Sequence, residues 1–375
     1  MDIRAIKEKL VKFSSSKIFK RVFSGAIWSL TGTLAAKILV LVAGIIVSRI
    51  LGIEQYGELG IVRTTINMFV VFSIMGLGTT TAKYVAEYKL TNKLEASRII
   101  KVTNQFSVFL GIIIAVGIIL FAEDISVKSF NTSHLSTPIK IGAIILLLSS
   151  LNGVQTGCLA GFEKFKIIAI NTFIAGFFEL LFLCLGAYFY GVKGGIIGLC
   201  FSYFILWLLN WNSIKKVRKE FEIPKYNDEL TNKDFRIIYK FSLPAALSSF
   251  LVMPVLWYCK SNLVKTSGFS QLAIFDVSDQ WKNIILFIPG SLSNIILPIL
   301  SSINSENNQR DFINVFKLNL LINFLVSFFI ALFVIIFAKD ILYSYGKGFT
   351  NNLALIWLAC STIFTALAQV VGKII

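Results

Sequence analysis

Residues 167–213 read IIAINTFIAGFFELLFLCLGAYFYGVKGGIIGLCFSYFILWLLNWNS, and residues 214–236 read IKKVRKEFEIPKYNDELTNKDFR. The first stretch contains two charged residues, Glu179 and Lys193. One bilayer crossing takes about 20 mostly apolar residues. The stretch is therefore two crossings, 167–189 and 194–213. The second stretch packs Lys215, Lys216, Arg218, Lys219, Lys225, Lys233 and Arg236 into one loop. A pair of apolar spans followed by a basic loop is the pattern that repeats along the chain.

Working outward, the same reading gives eight more spans: 24–48, 58–77, 103–121, 139–160, 241–259, 271–300, 316–337 and 353–371. The composition agrees, with 56% hydrophobic residues, 14% aromatic residues and a mean hydropathy of +0.76. The expected fold is an all-α integral membrane protein of about ten transmembrane helices. The span 271–300 exceeds one straight crossing and contains Pro289 and Pro298, so a tilted or kinked helix is expected there. Pro244 and Pro254 interrupt the span before it.

Alternate loops differ sharply in Lys and Arg. The tail 1–21 carries 7, segment 79–101 carries 5, segment 161–166 carries 2, and segment 214–236 carries 7. Segment 301–315, with Lys317 at its edge, adds 2. The opposite side has only Arg49, Lys128, Lys193, Lys260, Lys265, Lys339 and Lys347. Basic loops stay inside, which puts the N-terminus in the cytoplasm. These residues account for most of the formal charge of +16. They flank spans, where they meet anionic lipid headgroups rather than nucleic acid.

Loop sizes exclude several function classes. The longest inner loop, 214–236, is too short for a soluble catalytic domain, and it contains neither GxxxxGK[ST] nor GxGxxG. The largest outer loop, 122–138, is shorter still. The first apolar stretch, Gly25 to Ile50, is too long for a signal-peptide core and lacks a small-residue cleavage site. Cys158, Cys184, Cys200, Cys259 and Cys360 fall in or beside spans and form no CxxC pair. They read as small buried hydrophobes. His134, the single histidine, sits in an outer loop. No metal, cofactor or enzyme chemistry is expected, and transport within the membrane is the reading that remains.

Charges inside the spans mark where polar chemistry has to occur, because a charge at mid-bilayer costs several kcal/mol. Lys37 is near the middle of the first span. Arg63 is one to two turns into the second. Glu179 is central in the fifth. Asp276, Asp279 and Lys282 share one face of the eighth at intervals of three. Lys37 is expected to meet an anion, either Glu179 or a substrate phosphate. Arg63 either joins it or snorkels to the outer headgroups. Lys282 either neutralises Asp279 or lines a cavity.

Three blocks carry a family resemblance. The first is Ser48-Arg49-Ile50-Leu51-Gly52-Ile53-Glu54-Gln55-Tyr56-Gly57-Glu58-Leu59-Gly60, similar to an ARxLGxxxYG pattern. The second is Met75-Gly76-Leu77-Gly78-Thr79-Thr80-Thr81-Ala82-Lys83-Tyr84-Val85-Ala86-Glu87-Tyr88. The third is Gln280-Trp281-Lys282-Asn283-Ile284-Ile285-Leu286-Phe287-Ile288-Pro289-Gly290, followed by Leu297-Pro298-Ile299-Leu300-Ser301. Together they resemble polysaccharide flippases of the multidrug/oligosaccharidyl-lipid/polysaccharide exporter superfamily, O-antigen flippases in particular.

The resemblance implies two lobes around a cavity open alternately to each side: 1–213 and 237–375, joined by the loop 214–236. It implies a substrate made of an oligosaccharide on undecaprenyl diphosphate, flipped across a bacterial inner membrane. Lys37, Arg63 and Lys282 would face the diphosphate and sugar. Glu179, Asp276 and Asp279 would pair or couple an ion. Partners would be membrane lipids and other polysaccharide assembly proteins. Family members carry twelve or fourteen helices, so ten imply a truncated second lobe of four helices and weak or absent transport. Two alternatives are a cation-coupled multidrug exporter of the same superfamily and a non-transporting scaffold for glycan assembly.

Overall fold

The computed structural model describes residues 17–226, 242, 251–305 and 309–372. Among them the chain forms α1 (Lys17–Ile74), α2 (Leu77–Tyr88), α3 (Lys93–Phe130), α4 (Ser136–Gly161), α5 (Phe165–Glu220), α6 (Val252–Ser305), α7 (Gln309–Ile336), α8 (Ala338–Ser344) and α9 (Leu353–Gly372), with no strand among the described residues. Among the described residues six helical stretches are long and apolar enough to cross a membrane: Thr31–Tyr88, Lys93–Phe130, Ser136–Gly161, Phe165–Glu220, Phe312–Ile336 and Leu353–Gly372. The chain is a multi-pass membrane protein.

Two of these stretches are too long for one crossing. The 58 residues of α1 would extend about 87 Å as a straight helix, against roughly 30 Å of hydrocarbon. The break falls at Gly52, where φ is 75° and ψ 170°, a backbone state in which a Cβ is strained. In α5 the break falls at Tyr190 and Gly191. Both lie between expected spans, so α1 carries the first two spans and α5 the fifth and sixth. The described end of the seventh, 252–259, and the eighth fall on α6, broken at Gly268. The backbone of α6 stays helical through Pro289 and Pro298. Pro244 lies outside the described residues, as do the tail 1–16, segment 227–241 and Lys373.

The two halves of α5 fold back on each other through glycine. A Cβ at Gly186 would lie 2.1 Å from the carbonyl oxygen of Gly194, and one at Gly198 would lie 2.2 Å from that of Phe182. Contacts that pair 186 with 194 and 182 with 198 define an antiparallel hairpin with backbones nearly touching. In lipid, where neighbouring tails are as apolar as leucine, such close packing is a main source of helix association. A second seam runs parallel. Ile74, Gly78 and Ala82 meet Gly153, Gly157 and Gly161 of α4 in the same order. α4 is the central helix of this region: 72% of its apolar window is buried, against 22–28% for the other five stretches.

The chain divides into two compact units, one of residues Ala35–Ala273, the other of residues up to Leu34 together with Ile274–Ile375. The basic end of the first unit is fastened by ion pairs. The Lys89 ammonium, itself buried, donates to the last carbonyl of α4 at Gly161 (3.0 Å) and to Glu163 (2.7 Å). Lys93 donates to Glu222 at 2.8 Å and holds that carboxyl below its usual range. Arg218 donates to Ser97 and to the Pro224 carbonyl. Ile214, Val217 and Ile223 pack with Val85, Ile100, Leu159 and Phe162. The start of the charged segment 214–236 is thus helix up to Glu220, followed by a strap docked on the helix ends up to about Tyr226, whose ring is met by Lys101.

Candidate functional site

Within the Ala35–Ala273 unit three helices line a small, partly open polar recess of about 30 Å³. The second half of α1 contributes Arg63, Ile66 and Asn67, one helix face by their spacing of three and four. α4 contributes Ile145. The hairpin of α5 contributes Glu179 from its first half and Leu199 and Tyr203 from its second. The glycine seam between 186 and 194 sits one to two turns away and fixes how closely those halves approach.

Arg63 and Glu179 face each other across this recess, Nη2 to Oε1 3.7 Å, with side chains 33% and 19% exposed. At that separation they attract as ions without forming a hydrogen bond. Five N–H donors on a planar fork suit phosphate and carboxylate equally well. The geometry therefore holds a guanidinium on a membrane-spanning helix, balanced in charge by Glu179, with donor capacity left for an anion or a sugar hydroxyl.

Buried amides continue from the recess along α4 and α5. Asn152 donates to the Tyr203 carbonyl at 3.0 Å, and the Trp207 indole N–H meets the Gln155 side-chain amide at 3.3 Å. Further along, Asn171 donates to Asn210 (2.9 Å) and Ser213 (3.1 Å), and Asn210 donates to Thr156 (3.5 Å). Such bonds orient helices in lipid for roughly 0.6–2 kcal/mol each.

The other intramembrane charges lie elsewhere. Lys37 is half-buried on α1, next to Ala36, which packs on Gly176 of α5; it does not line the recess. The carboxylate partner of Arg63 is Glu179, one of the two anions, with a substrate phosphate, expected for Lys37. In the unit containing Ile274–Ile375, Lys282 donates to Asp279 at 3.3 Å, and Asn283 donates to the Asp279 carbonyl at 2.8 Å. Asp276 lies one turn before, half-buried on the same helix. α7 of that unit adds a buried polar row, Asn319, Asn323 and Ser327, facing Ser293 of α6. Asn67, Tyr203 and the buried amides were not singled out from the sequence. The available signal was an amide recurring in otherwise apolar spans.

The block Ser48–Gly60 proves to be the turn that organises one end of this unit. Gly52 breaks the helix. Tyr56 and Leu59 are buried. Glu58 bonds His134 at 2.9 Å, and Gly57 lies so close to the Phe269 carbonyl that a Cβ would overlap it. Residues 22–304 match the family described as Polysaccharide biosynthesis protein. The chain belongs to this family. A 70-residue stretch is 41% identical to "EPS I polysaccharide export inner membrane protein EpsE" of Ralstonia nicotianae, and equally to that of Ralstonia solanacearum. These matches cover 18% of this chain and only 16% of those relatives' length.

Among solved structures, the family member resembles an inward-facing multidrug resistance MATE family transporter of the MOP superfamily: TM-score 0.70, 16% identity, 93% of this chain and 86% of that one. An outward-facing structure of such a transporter gives a TM-score of 0.60 at 16% identity, over 97% and 86% of the two chains. A MOP superfamily transporter from Pyrococcus furiosus, described as having a binding pocket of reversed polarity, gives 0.62 at 15% identity over the same shares. The fold of this polysaccharide biosynthesis family member is thus that of MOP superfamily transporters.

Proposed function

We propose that this protein carries lipid-linked oligosaccharide across the inner membrane of a bacterium, as a flippase rather than an enzyme. The observation that carries the reading is the Arg63–Glu179 pair, set in a polar recess of a membrane-spanning bundle whose family is polysaccharide biosynthesis. A diphosphate leaving water loses its hydration, and a guanidinium replaces it with paired hydrogen bonds. Lys37 and Lys282 are further cations for the same cargo. Glu179, Asp276 and Asp279 set the charge balance and are candidates for ion coupling. The lobes are taken as 1–213 and 237–375, and the basic loops as cytoplasmic, N-terminus inside. Partners are membrane lipids and the other proteins of polysaccharide assembly.

A cation-coupled drug exporter is the second reading, supported by the shared fold and by Glu179. Arg63 beside Glu179 argues against it, because the guanidinium already neutralises the carboxylate that would attract cationic cargo. A non-transporting scaffold is the third. Expression in a strain lacking its own oligosaccharide flippase separates them. Restored surface glycan supports the flippase. Drug resistance without glycan supports the exporter, and neither supports the scaffold. In the same cells a cysteine at position 225 in a cysteine-free background is expected to resist an impermeant outside reagent. Labelling there from outside would reverse the orientation.

A further inference from the structure

The second half of α5 carries a stripe that the recess does not use. Phe204, Trp207, Trp211, Lys215 and Lys219 follow at intervals of three and four, so they lie along one helix face. The rings of Phe204 and Trp207 stack with centroids 5.6 Å apart, and those of Trp207 and Trp211 with centroids 5.4 Å apart. The Lys215 ammonium sits 3.6 Å from the Trp211 centroid, which fixes its position by cation–π attraction. Phe204 is 42% exposed and Trp211 43%, and Lys215, Lys216 and Lys219 are exposed. The stripe is therefore aromatic inside the span and cationic where the span ends. From Phe204 to Lys215 it covers about 16 Å, roughly half the hydrocarbon thickness.

Among the described residues the nearby carboxylates do not cancel this charge. Glu220 is bonded to Lys164, and Glu222 to Lys93. Three ammonium groups thus remain on little more than one turn, beside an aromatic surface at acyl-chain depth.

We propose that the stripe docks an isoprenoid diphosphate lipid on the flank of the bundle, its diphosphate on Lys215, Lys216 and Lys219 and its first isoprene units along Trp211, Trp207 and Phe204. The inference rests on the flippase reading and adds a place where the cargo is held before it enters the protein. Charge complementarity selects this occupant over a bulk phospholipid. A phosphodiester headgroup such as phosphatidylglycerol brings one negative charge to three ammonium groups, whereas a diphosphate bridging sugar and isoprenoid brings two and the terminal diphosphate of the probe below two or three.

The test uses the full chain in phosphatidylcholine nanodiscs with a photoactivatable decaprenyl diphosphate as probe. The wild type is expected to crosslink within residues 204–219, and a tenfold molar excess of phosphatidylglycerol is expected to remove less than half of the signal. Lys215→Gln with Lys219→Gln, both exposed and costing little beyond the Lys215–Trp211 contact, is expected to lower that crosslink at least tenfold, and Trp211→Leu to lower it severalfold. Crosslinking elsewhere, an unchanged signal in the double variant, or full displacement by phosphatidylglycerol overturns the proposal. Displacement would leave the stripe as a general anionic-lipid anchor. If the wild type restores glycan export while the double variant crosslinks normally, the stripe alone is wrong. If the wild type neither exports glycan nor crosslinks, the flippase reading fails with it.

Discussion

Replacing Arg63 with alanine is expected to lower oligosaccharide translocation by about 30-fold or more while protein level in the membrane stays unchanged. Truncating one partner of a buried, hydrogen-bonded charge pair costs roughly 2–5 kcal/mol; this pair is partly exposed and 3.7 Å apart, so the lower end of that range is the expectation. Such a loss has two possible sources, the missing contact to cargo or the Glu179 carboxylate left without its counter-ion. The double variant Arg63→Ala/Glu179→Gln separates them, because it removes the stranded charge as well. The double variant is expected to stay inactive. Arg63→Lys is expected to fall between, since an ammonium keeps the charge and loses the fork. Recovery of transport in the double variant would show that Arg63 serves only Glu179.

The second large effect concerns folding. Gly157→Leu is expected to destabilise the protein severely, because even a Cβ there would sit 2.1 Å from the Gly78 carbonyl oxygen, a backbone atom that cannot swing aside. Overpacking costs about 1–3 kcal/mol where side chains can adjust. Here two helices have to separate along the Ile74–Ala82 seam, so the upper end or beyond is expected. Gly117→Leu is the control, since no atom lies within 4 Å of a Cβ built there. Thermal unfolding followed by fluorescence-detected gel filtration is expected to show a fall of at least about 5 °C for Gly157→Leu and little change for Gly117→Leu. Equal midpoints would mean that the seam does not hold α4 in place.

The helices were legible because their signal is strong and local. Long apolar runs and basic loops placed the breaks near Gly52 and Gly191 before any coordinates, and the i,i+3 contact of Asp279 with Lys282 followed from spacing alone. Glu179 and Arg63 were each recognisable as costly intramembrane charges, but their meeting was not. They sit on different helices, and no periodicity relates the face of α1 to the face of α5. That Lys37 would meet an anion, either Glu179 or a substrate phosphate, followed only from depth in the membrane. Asn152, Asn171 and Asn210 were overlooked for the same reason: an amide in a span is informative only once its partner is known. The Ser48–Gly60 block was legible as a family resemblance, but its content is architectural. It supplies a helix break, a close backbone approach and a buried tyrosine. The strap 221–226 read as loop because hydropathy registers Lys and Glu, whereas Phe221 and Ile223 are what dock it.

The most direct measurement is flipping itself. Purified protein in liposomes that contain a fluorescent oligosaccharide on polyprenyl diphosphate is mixed with an impermeant quencher. Without flipping, only the outer-leaflet half of the fluorescence is lost. The account predicts slow but measurable further loss with wild-type protein, at least about 30-fold slower with Arg63→Ala, and unaffected by cationic drugs. Retention of the inner-leaflet half with folded wild-type protein, or equal rates for wild type and Arg63→Ala, would contradict it.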